Sequence, residues 1–208
     1  LEIIDGKIKA VATDGHRLAL SLSERPECNG FEKKQLLPRK AVLELAKLLP
    51  NSDEEVILSL GNSFLSAKFL NLLFSSKLID GKFPDYEKVF PEGKGSSLKV
   101  ERETLQSALL RSSVLSNEKY RGVRFNLSGN SLKLTANNPE QESAEETLDV
   151  NYNGEEFEIG FNISYFLDVL NVIETKEVEI LFFGEESSCV IKEPESTSEK
   201  YVIMPMRL

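Results

Sequence analysis

His16, the single histidine of the sequence, stands two residues after Asp14 in the stretch Val11-Ala12-Thr13-Asp14-Gly15-His16-Arg17-Leu18-Ala19-Leu20. An imidazole beside a carboxylate is the base-and-orienter pair of a hydrolase, which would then need a serine brought close by folding. No nucleophile-elbow sequence and no second catalytic motif accompany the pair, so geometry would have to supply the rest. Two other readings fit the same residues. Asp14-Gly15 is a turn between two strands, or the turn holds out His16, Arg17 and Leu18 to a partner.

Other chemistry is poorly supplied. One histidine and two distant cysteines, Cys28 and Cys189, cannot form a zinc set. The acidic run at 140–146 lacks the alternating carboxylates and glycine of a calcium loop and reads as a solvated loop and strand edge. Gly93-Lys94-Gly95 follows no strand and is no phosphate loop. We expect no metal, no cofactor and no catalytic residue.

The C-terminus, Tyr201-Val202-Ile203-Met204-Pro205-Met206-Arg207-Leu208, is apolar almost to its end, where chain ends usually carry polar residues. A buried last strand explains Val202 and Met204. It does not explain Met206 and Leu208, which follow Pro205. Exposed, adaptable methionines suit a groove that accepts several peptides.

The elements that must position these residues repeat in pattern. Three times a short strand runs into an amphipathic helix and then into three strands. The first helix is predicted over 38–49, with Val42, Leu45, Ala46 and Leu49 on its apolar face. The second covers 102–115, with Leu105, Ala108 and Leu109 inward. The third starts after Asn162 or Ser164, both good caps, and carries the stripe Phe166, Val169, Leu170 and Ile173, with Asp168 and Asn171 on the other side. Hairpins follow at 56–69, 122–136 and 178–191, each with small turn residues at its tip. One further strand closes each unit, at 73–78, 144–150 and 200–204. The class is α+β, built from repeated strand-helix-three-strand units. Two copies lie between about 97 and 208, and one between about 35 and 79 behind the strands of 1–22. A linker is expected at 80–95, where glycine, proline and charge concentrate. If two units make a domain, the chain begins inside one.

The chain of 208 residues is 40% hydrophobic and 28% charged, the balance of a soluble globular protein. Its longest apolar runs, such as 69–74, are far short of a membrane span. With no export signal and two isolated cysteines, a reducing cytoplasm is the expected compartment. The net charge of −9 and pI near 4.9 argue against a protein that grips DNA by neutralising phosphates. A ring that encloses DNA without gripping it escapes that objection.

Five stretches in order resemble one family, the bacterial sliding clamp, the beta subunit of DNA polymerase III. They are Ala12-Thr13-Asp14-Gly15-His16-Arg17-Leu18, then Phe83-Pro84-Asp85-Tyr86, then Leu115-Ser116-Asn117-Glu118-Lys119 with Arg121-Gly122-Val123-Arg124, then Thr135-Ala136-Asn137-Asn138-Pro139-Glu140-Gln141-Glu142, and finally Met204-Pro205-Met206-Arg207-Leu208. The resemblance implies a non-catalytic processivity factor whose full-length subunit has three domains and closes head to tail with a second subunit around duplex DNA. On that reading residues 1–85 are the C-terminal half of the middle domain and 86–208 the complete last domain. Such a fragment would not close a ring.

The same resemblance implies a hydrophobic cleft that receives a glutamine–leucine–phenylalanine peptide motif from polymerases and the clamp loader. Thr13, Gly15, His16, Arg17 and Leu18 match one wall. Pro84 and Val89 match the linker side, with Lys88 where the family often has arginine, a change that loses the planar fork. Asn162, Tyr165, Ser188, Val202, Ile203, Met204, Pro205, Met206 and Arg207 match the other wall, with Leu208 beside them. Arg39, Lys40, Lys47, Arg102 and Arg111 are candidates for helix faces toward DNA. The rivals are a hydrolase using Asp14 and His16, and a repeat-built scaffold unrelated to replication.

Overall fold

The computed structural model describes residues 1–50, 52 and 54–207. The chain forms two compact units, one of Leu1–Ala10 and Leu22–Tyr86, the other of Val11–Ser21 and Glu87–Leu208.

The first unit begins with β1 (Glu2–Ile4) and β2 (Lys7–Thr13), whose last residues belong to the second unit. Asp5 and Gly6 join the two strands with φ of 50° and 68°, the left-handed pair that a two-residue hairpin loop requires. Next come β3 (Arg17–Glu24), which starts in the second unit, and β4 (Lys33–Lys34), which pairs with β1. Helix α1 (Arg39–Leu48) follows, then an antiparallel meander of β5 (Ile57–Leu60), β6 (Phe64–Phe69) and β7 (Leu72–Lys77). Period-two alternation is clear in β6: Leu65, Ala67 and Phe69 are buried while Phe64 and Lys68 are exposed.

The apolar face predicted for α1 is only partly covered. Ala41 is buried and Leu45 half-buried, but Val42 is 49% and Leu49 38% exposed, and Ala46 is exposed too. The reason is local. Among the described residues of this unit α1 is the one α-helix, so no second helix shields its flank.

The second unit carries two copies of the repeat. The first is β8 (Ser96–Glu101), α2 (Arg102–Ser113), β9 (Gly122–Ser128), β10 (Ser131–Asn137) and β11 (Ser143–Asp149). After the short β12 (Asn151–Tyr152), the second is β13 (Phe157–Asn162), α3 (Ile163–Leu170), β14 (Glu177–Phe182), β15 (Cys189–Lys192) and β16 (Glu199–Ile203). The leading strands are exchanged. β8 pairs antiparallel with β14 of the second copy, and β13 pairs antiparallel with β9 of the first. One sheet therefore runs β11-β10-β9-β13, and another contains β12-β8-β14-β15-β16-β3. Neither copy can complete its sheet alone.

α2 packs on α3, and the pair touches strands of both sheets. Leu105, Ala108 and Leu109 of α2 and Phe166, Val169 and Leu170 of α3 are buried, as their helical spacing predicts, and Ile173 just beyond α3 is buried with them. Phe125, Phe161 and Phe166 form a ring cluster with centroids 4.8 to 5.4 Å apart, close to the offset and edge geometries that aromatic quadrupoles favour. Asn162 is the N-cap of α3, its Oδ1 accepting from the Ser164 N–H at 2.8 Å. No α-helix among the described residues is long and apolar enough to cross a membrane.

Candidate functional site

The turn between β2 and β3 is fixed by its own side chains. Thr13 Oγ1 donates to the Arg17 carbonyl at 2.7 Å and accepts from the Gly15 N–H at 3.2 Å. Asp14 Oδ1 accepts from the N–H groups of His16 and Arg17 at 3.0 and 3.1 Å. Gly15 takes φ +87°, which a side chain would resist. This is an Asx-type turn, the outcome expected for Asp before glycine.

Arg17 emerges from that turn into a ring of partners. Its Nε donates to Asp14 Oδ2 at 3.1 Å and its Nη1 to Asp168 Oδ2 at 2.5 Å, and its guanidinium lies 4.5 Å from the centroid of the Tyr165 ring. Burial opposes the charge on Arg17, but the bonds to Asp168 and Asp14 outweigh it and raise its pKa. Burial likewise opposes ionisation of Asp14, yet the bonds from His16 and Arg17 hold its carboxyl below the ordinary value. Both Asp14 oxygens are thus occupied by the turn and by Arg17, and Asp14 does not orient the imidazole. His16 itself is exposed.

The C-terminal segment lies directly alongside. β16 pairs with β3 in the register Val202↔Leu18 and Ile203↔Arg17, with Val202, Ile203 and Leu18 buried. Past the strand, the Met204 N–H donates to the His16 carbonyl at 3.0 Å and the Met206 N–H to the Gly160 carbonyl at 2.9 Å. Met204 remains exposed, Pro205 and Met206 are half-buried, and Arg207 is exposed with Glu186 3.8 Å away. Ser188, half-buried, precedes Cys189, whose register partner is Ile203. Asn162 and Tyr165 begin α3, where Asn162 Nδ2 also donates to the Tyr120 carbonyl at 3.2 Å.

Thr13, Gly15, His16, Arg17, Leu18, Tyr165, Val202, Ile203, Met204, Pro205 and Met206 are therefore drawn together by hydrogen bonds, ladder register and chain continuity. Lys88, exposed, and Val89, half-buried, sit on a 3-10 turn, and Pro84 is an exposed residue of the first unit. Leu208 lies outside the described residues. Sequence reasoning does not place Asp168 in the site, although the helical spacing is a usable signal: it follows Tyr165 by three residues, on the same face.

Two family models cover nearly the whole sequence. That for the C-terminal domain of the DNA polymerase III beta subunit matches residues 87–207, and that for its central domain matches residues 1–85. The chain belongs to the DNA polymerase III beta subunit family. A curated beta sliding clamp of Pseudomonas aeruginosa is 47% identical over 208 residues, which is all of this chain and 57% of that protein. One of Vibrio cholerae is 46% identical over 99% of this chain and 56% of its own length. A crystal structure of the Pseudomonas aeruginosa DnaN sliding clamp bound to griselimycin superimposes with a TM-score of 0.96 at 47% identity, over all of this chain and 56% of that one. A Caulobacter crescentus beta sliding clamp gives 0.92 at 35% identity, again over all of this chain and 56% of that one. The sequence resemblance and the α+β clamp fold are both correct. The chain spans about 57% of the length of the curated relatives it matches.

The basic residues that the clamp resemblance assigned to helix faces differ in what they touch. Arg39, Lys40 and Lys47 are exposed on α1, with Lys47 3.1 Å from Glu44. Arg111 is exposed on α2 and holds Glu146 through two bonds of 2.6 and 2.8 Å. Arg102 is largely covered, its side chain 20% exposed with Nη2 donating to Glu103 at 3.2 Å. Its Nε and Nη1 donate to the carbonyls of Thr175 and Leu170, each at 3.2 Å, and pin the chain leaving α3 to the start of α2.

Proposed function

We propose that this chain supplies residues 1–85 as the C-terminal half of a clamp middle domain and residues 86–208 as a complete last domain. Its function is that of a DNA polymerase processivity factor, working by binding short peptides of polymerases and the clamp loader while the full-length dimer ring encloses duplex DNA. The chain itself performs no catalysis. It acts with DNA in the cytoplasm and needs neither metal nor cofactor.

One observation carries the peptide reading. A tail that is apolar after its last strand is tied by Met204 to the His16 carbonyl and by Met206 to the Gly160 carbonyl, with methionine side chains left partly accessible beside Arg17 and Tyr165. Main-chain anchoring with adaptable apolar side chains makes a surface that accepts several related sequences. Thr13, Gly15, His16, Arg17, Tyr165, Met204, Pro205 and Met206 offer this surface, backed by the buried Leu18, Val202 and Ile203, while Asn162, Ser188, Arg207, Leu208, Pro84, Lys88 and Val89 are assigned to it by family resemblance alone. Arg39, Lys40, Lys47 and Arg111 are the cations offered to DNA. Arg102, spent on two carbonyls, contributes less than its charge suggests.

A fluorescent peptide carrying the glutamine–leucine–phenylalanine pattern, titrated into the chain, tests the reading. Saturable binding that is lost on mutating Met204 and Met206 together supports it. Binding unaffected by that double substitution would move the site elsewhere. The hydrolase alternative loses its premise, because Asp14 is committed to the turn and to Arg17.

A further inference from the structure

The outer face of the β5-β6-β7 sheet is dressed unlike a solvated sheet face. Leu65, Ala67 and Phe69 of β6 are buried, so the alternate residues Phe64, Ser66 and Lys68 turn to the other side. Ladder register sets their neighbours there. Ile57 and Leu73 flank Lys68, Ser59 and Ser75 flank Ser66, and Lys77 stands opposite Phe64. Ile57 is 54% exposed, Phe64 57% and Leu73 70%, so three large apolar side chains lie open on one small sheet. The sheet β11-β10-β9-β13 of the same chain shows the usual alternative. Its outward residues include Asn126 and Thr135, and ion pairs cover it, Lys133 with Glu145 at 2.9 Å and Arg124 with Glu158 at 3.1 Å. Single exposed apolar residues need no explanation, but a group of them on one face marks a contact site.

Charge says what kind of contact. None of the residues of β5, β6 and β7 is acidic, in a chain of net charge −9. Among the described residues no ion pair uses Lys68 or Lys77. Each ammonium therefore stands beside apolar area without a counter-charge, Lys68 between Ile57 and Leu73, Lys77 next to Phe64. Along the strand direction the two lysines are separated by the length of four residues, about 13–14 Å. An extended peptide covers that distance in the same four residues. Apposing two copies of this face would bring lysine toward lysine, and one aromatic ring is too few for the stacking platform of a single-stranded nucleic-acid site.

We infer that the outer face of β5-β6-β7 docks an extended acidic segment of a partner protein. Carboxylates four residues apart meet Lys68 and Lys77, and apolar side chains beside them cover Ile57, Leu73 and Phe64. The serine row between offers hydroxyls to the segment's main chain. These residues all belong to the first unit, and Arg17 and Tyr165 to the second, so this inference and the peptide reading above stand independently.

The test records amide NMR shifts of the 208-residue chain on titration with a synthetic peptide carrying two glutamate–leucine pairs separated by two serines. Saturable shifts centred on Ile57, Phe64, Lys68, Leu73 and Lys77 are expected, with weaker binding for a glutamine-for-glutamate control and at raised ionic strength. Lys68→Gln combined with Lys77→Gln weakens binding about threefold to tenfold, the scale of two exposed ion pairs. Leu73→Ser weakens it too, at an unchanged melting temperature, because Leu73 is largely in solvent. Absence of shifts on this face, equal binding of the glutamine control, or affinity indifferent to salt overturns the inference. So does an oligothymidylate that gives the same shifts at higher affinity, or shifts that follow protein concentration alone. The control-peptide and salt arms use the wild type and decide the matter even if a variant misfolds. Failure here leaves the surface at Arg17 untouched, since binding there is read at other residues.

Discussion

The main-chain N–H of Met206 donates to the carbonyl of Gly160 at 2.9 Å, so the chain past Pro205 is attached to β13. From the sequence alone, the residues after Pro205 look free of ladder bonding and purely available to a ligand. Met206 is both anchored and partly accessible. Deleting 206–208 therefore mixes two effects, and a side-chain substitution separates them. Met206→Ala keeps the backbone bond and removes apolar area worth about 1.5–3 kcal/mol when fully buried. Because Met206 is already half-buried, we expect peptide affinity to fall by about tenfold, one decade per about 1.4 kcal/mol, with a melting temperature close to wild type. Calorimetric titration and thermal melting on the same sample decide it: a large melting shift with unchanged affinity would make Met206 a packing residue only.

Acid should destabilise the fold through three identifiable carboxylates. Burial opposes ionisation of Glu2, Glu179 and Asp14, but bonds from Lys34 and Tyr86, from Ser97 and Lys192, and from His16 and Arg17 respectively hold each below its ordinary value. The sign follows from the depressed folded values. Their contribution is complete above the unfolded carboxylate range of about 3.9–4.3 and drains away as pH falls through the lower folded values. Urea midpoints should be flat from about pH 7 down to about pH 5 and fall below about pH 4. Glu179→Gln should shift the neutral-pH midpoint downward and flatten the acid limb. A midpoint that rises on acidification would contradict this account.

Arg102 is a structural cation, where Arg111 is a surface one. Its guanidinium satisfies the carbonyls of Leu170 and Thr175, and a lysine cannot span both in the same fork. Arg102→Lys preserves charge yet should cost about 1–3 kcal/mol, the loss expected when a charged donor leaves a carbonyl unsatisfied. Arg111→Lys, in contrast, should change stability little, because Arg111 is 57% exposed and its pair with Glu146 lies at the surface. Chemical denaturation of the two variants side by side gives the comparison. Equal stability would mean that the Arg102 bonds are replaced by water at no cost.

The legible part of the molecule is the part governed by local periodicity. The stripe of α3 is readable because Phe166, Val169, Leu170 and Ile173 recur at helical spacing and all find cover. The stripe of α1 has the same spacing, but Val42 and Leu49 stay exposed, since periodicity states which face is apolar and not whether a partner covers it. The turn at Thr13–Leu18 is readable from Asp14-Gly15, and the strand of the C-terminus from its apolar run. The Arg17–Asp168 bond is not, because it joins residues 151 apart in sequence and depends on how α3 lies against β3 and β16. The exchange of β8 and β13 between repeats is hidden for the same reason. Repetition in sequence fixes the unit, and pairing between units depends on long-range register.

Gly15 offers the most direct test of whether the turn itself presents the site. It adopts φ +87° in open space, and apart from its two chain neighbours no described residue comes within 4 Å of where a Cβ would stand. A substitution there meets no clash, and its effect is conformational alone. An L-residue forced into the left-handed region costs about 1–2 kcal/mol, less for asparagine, which tolerates it. The Asp14 Oδ1 bonds to the His16 and Arg17 N–H groups depend on this backbone shape, and the direction of the Arg17 side chain depends on them in turn. Gly15→Ala should therefore lower stability by about 1 kcal/mol and weaken the peptide by several-fold beyond what unfolding explains, since about 1.4 kcal/mol corresponds to tenfold. Gly15→Asn should lie between wild type and alanine in both respects. Peptide affinity is measured well below the melting transition, where every variant is fully folded. Affinity that follows the order glycine, asparagine, alanine ties recognition to the geometry of the turn; affinity indifferent to all three would show that Arg17 finds its place without it.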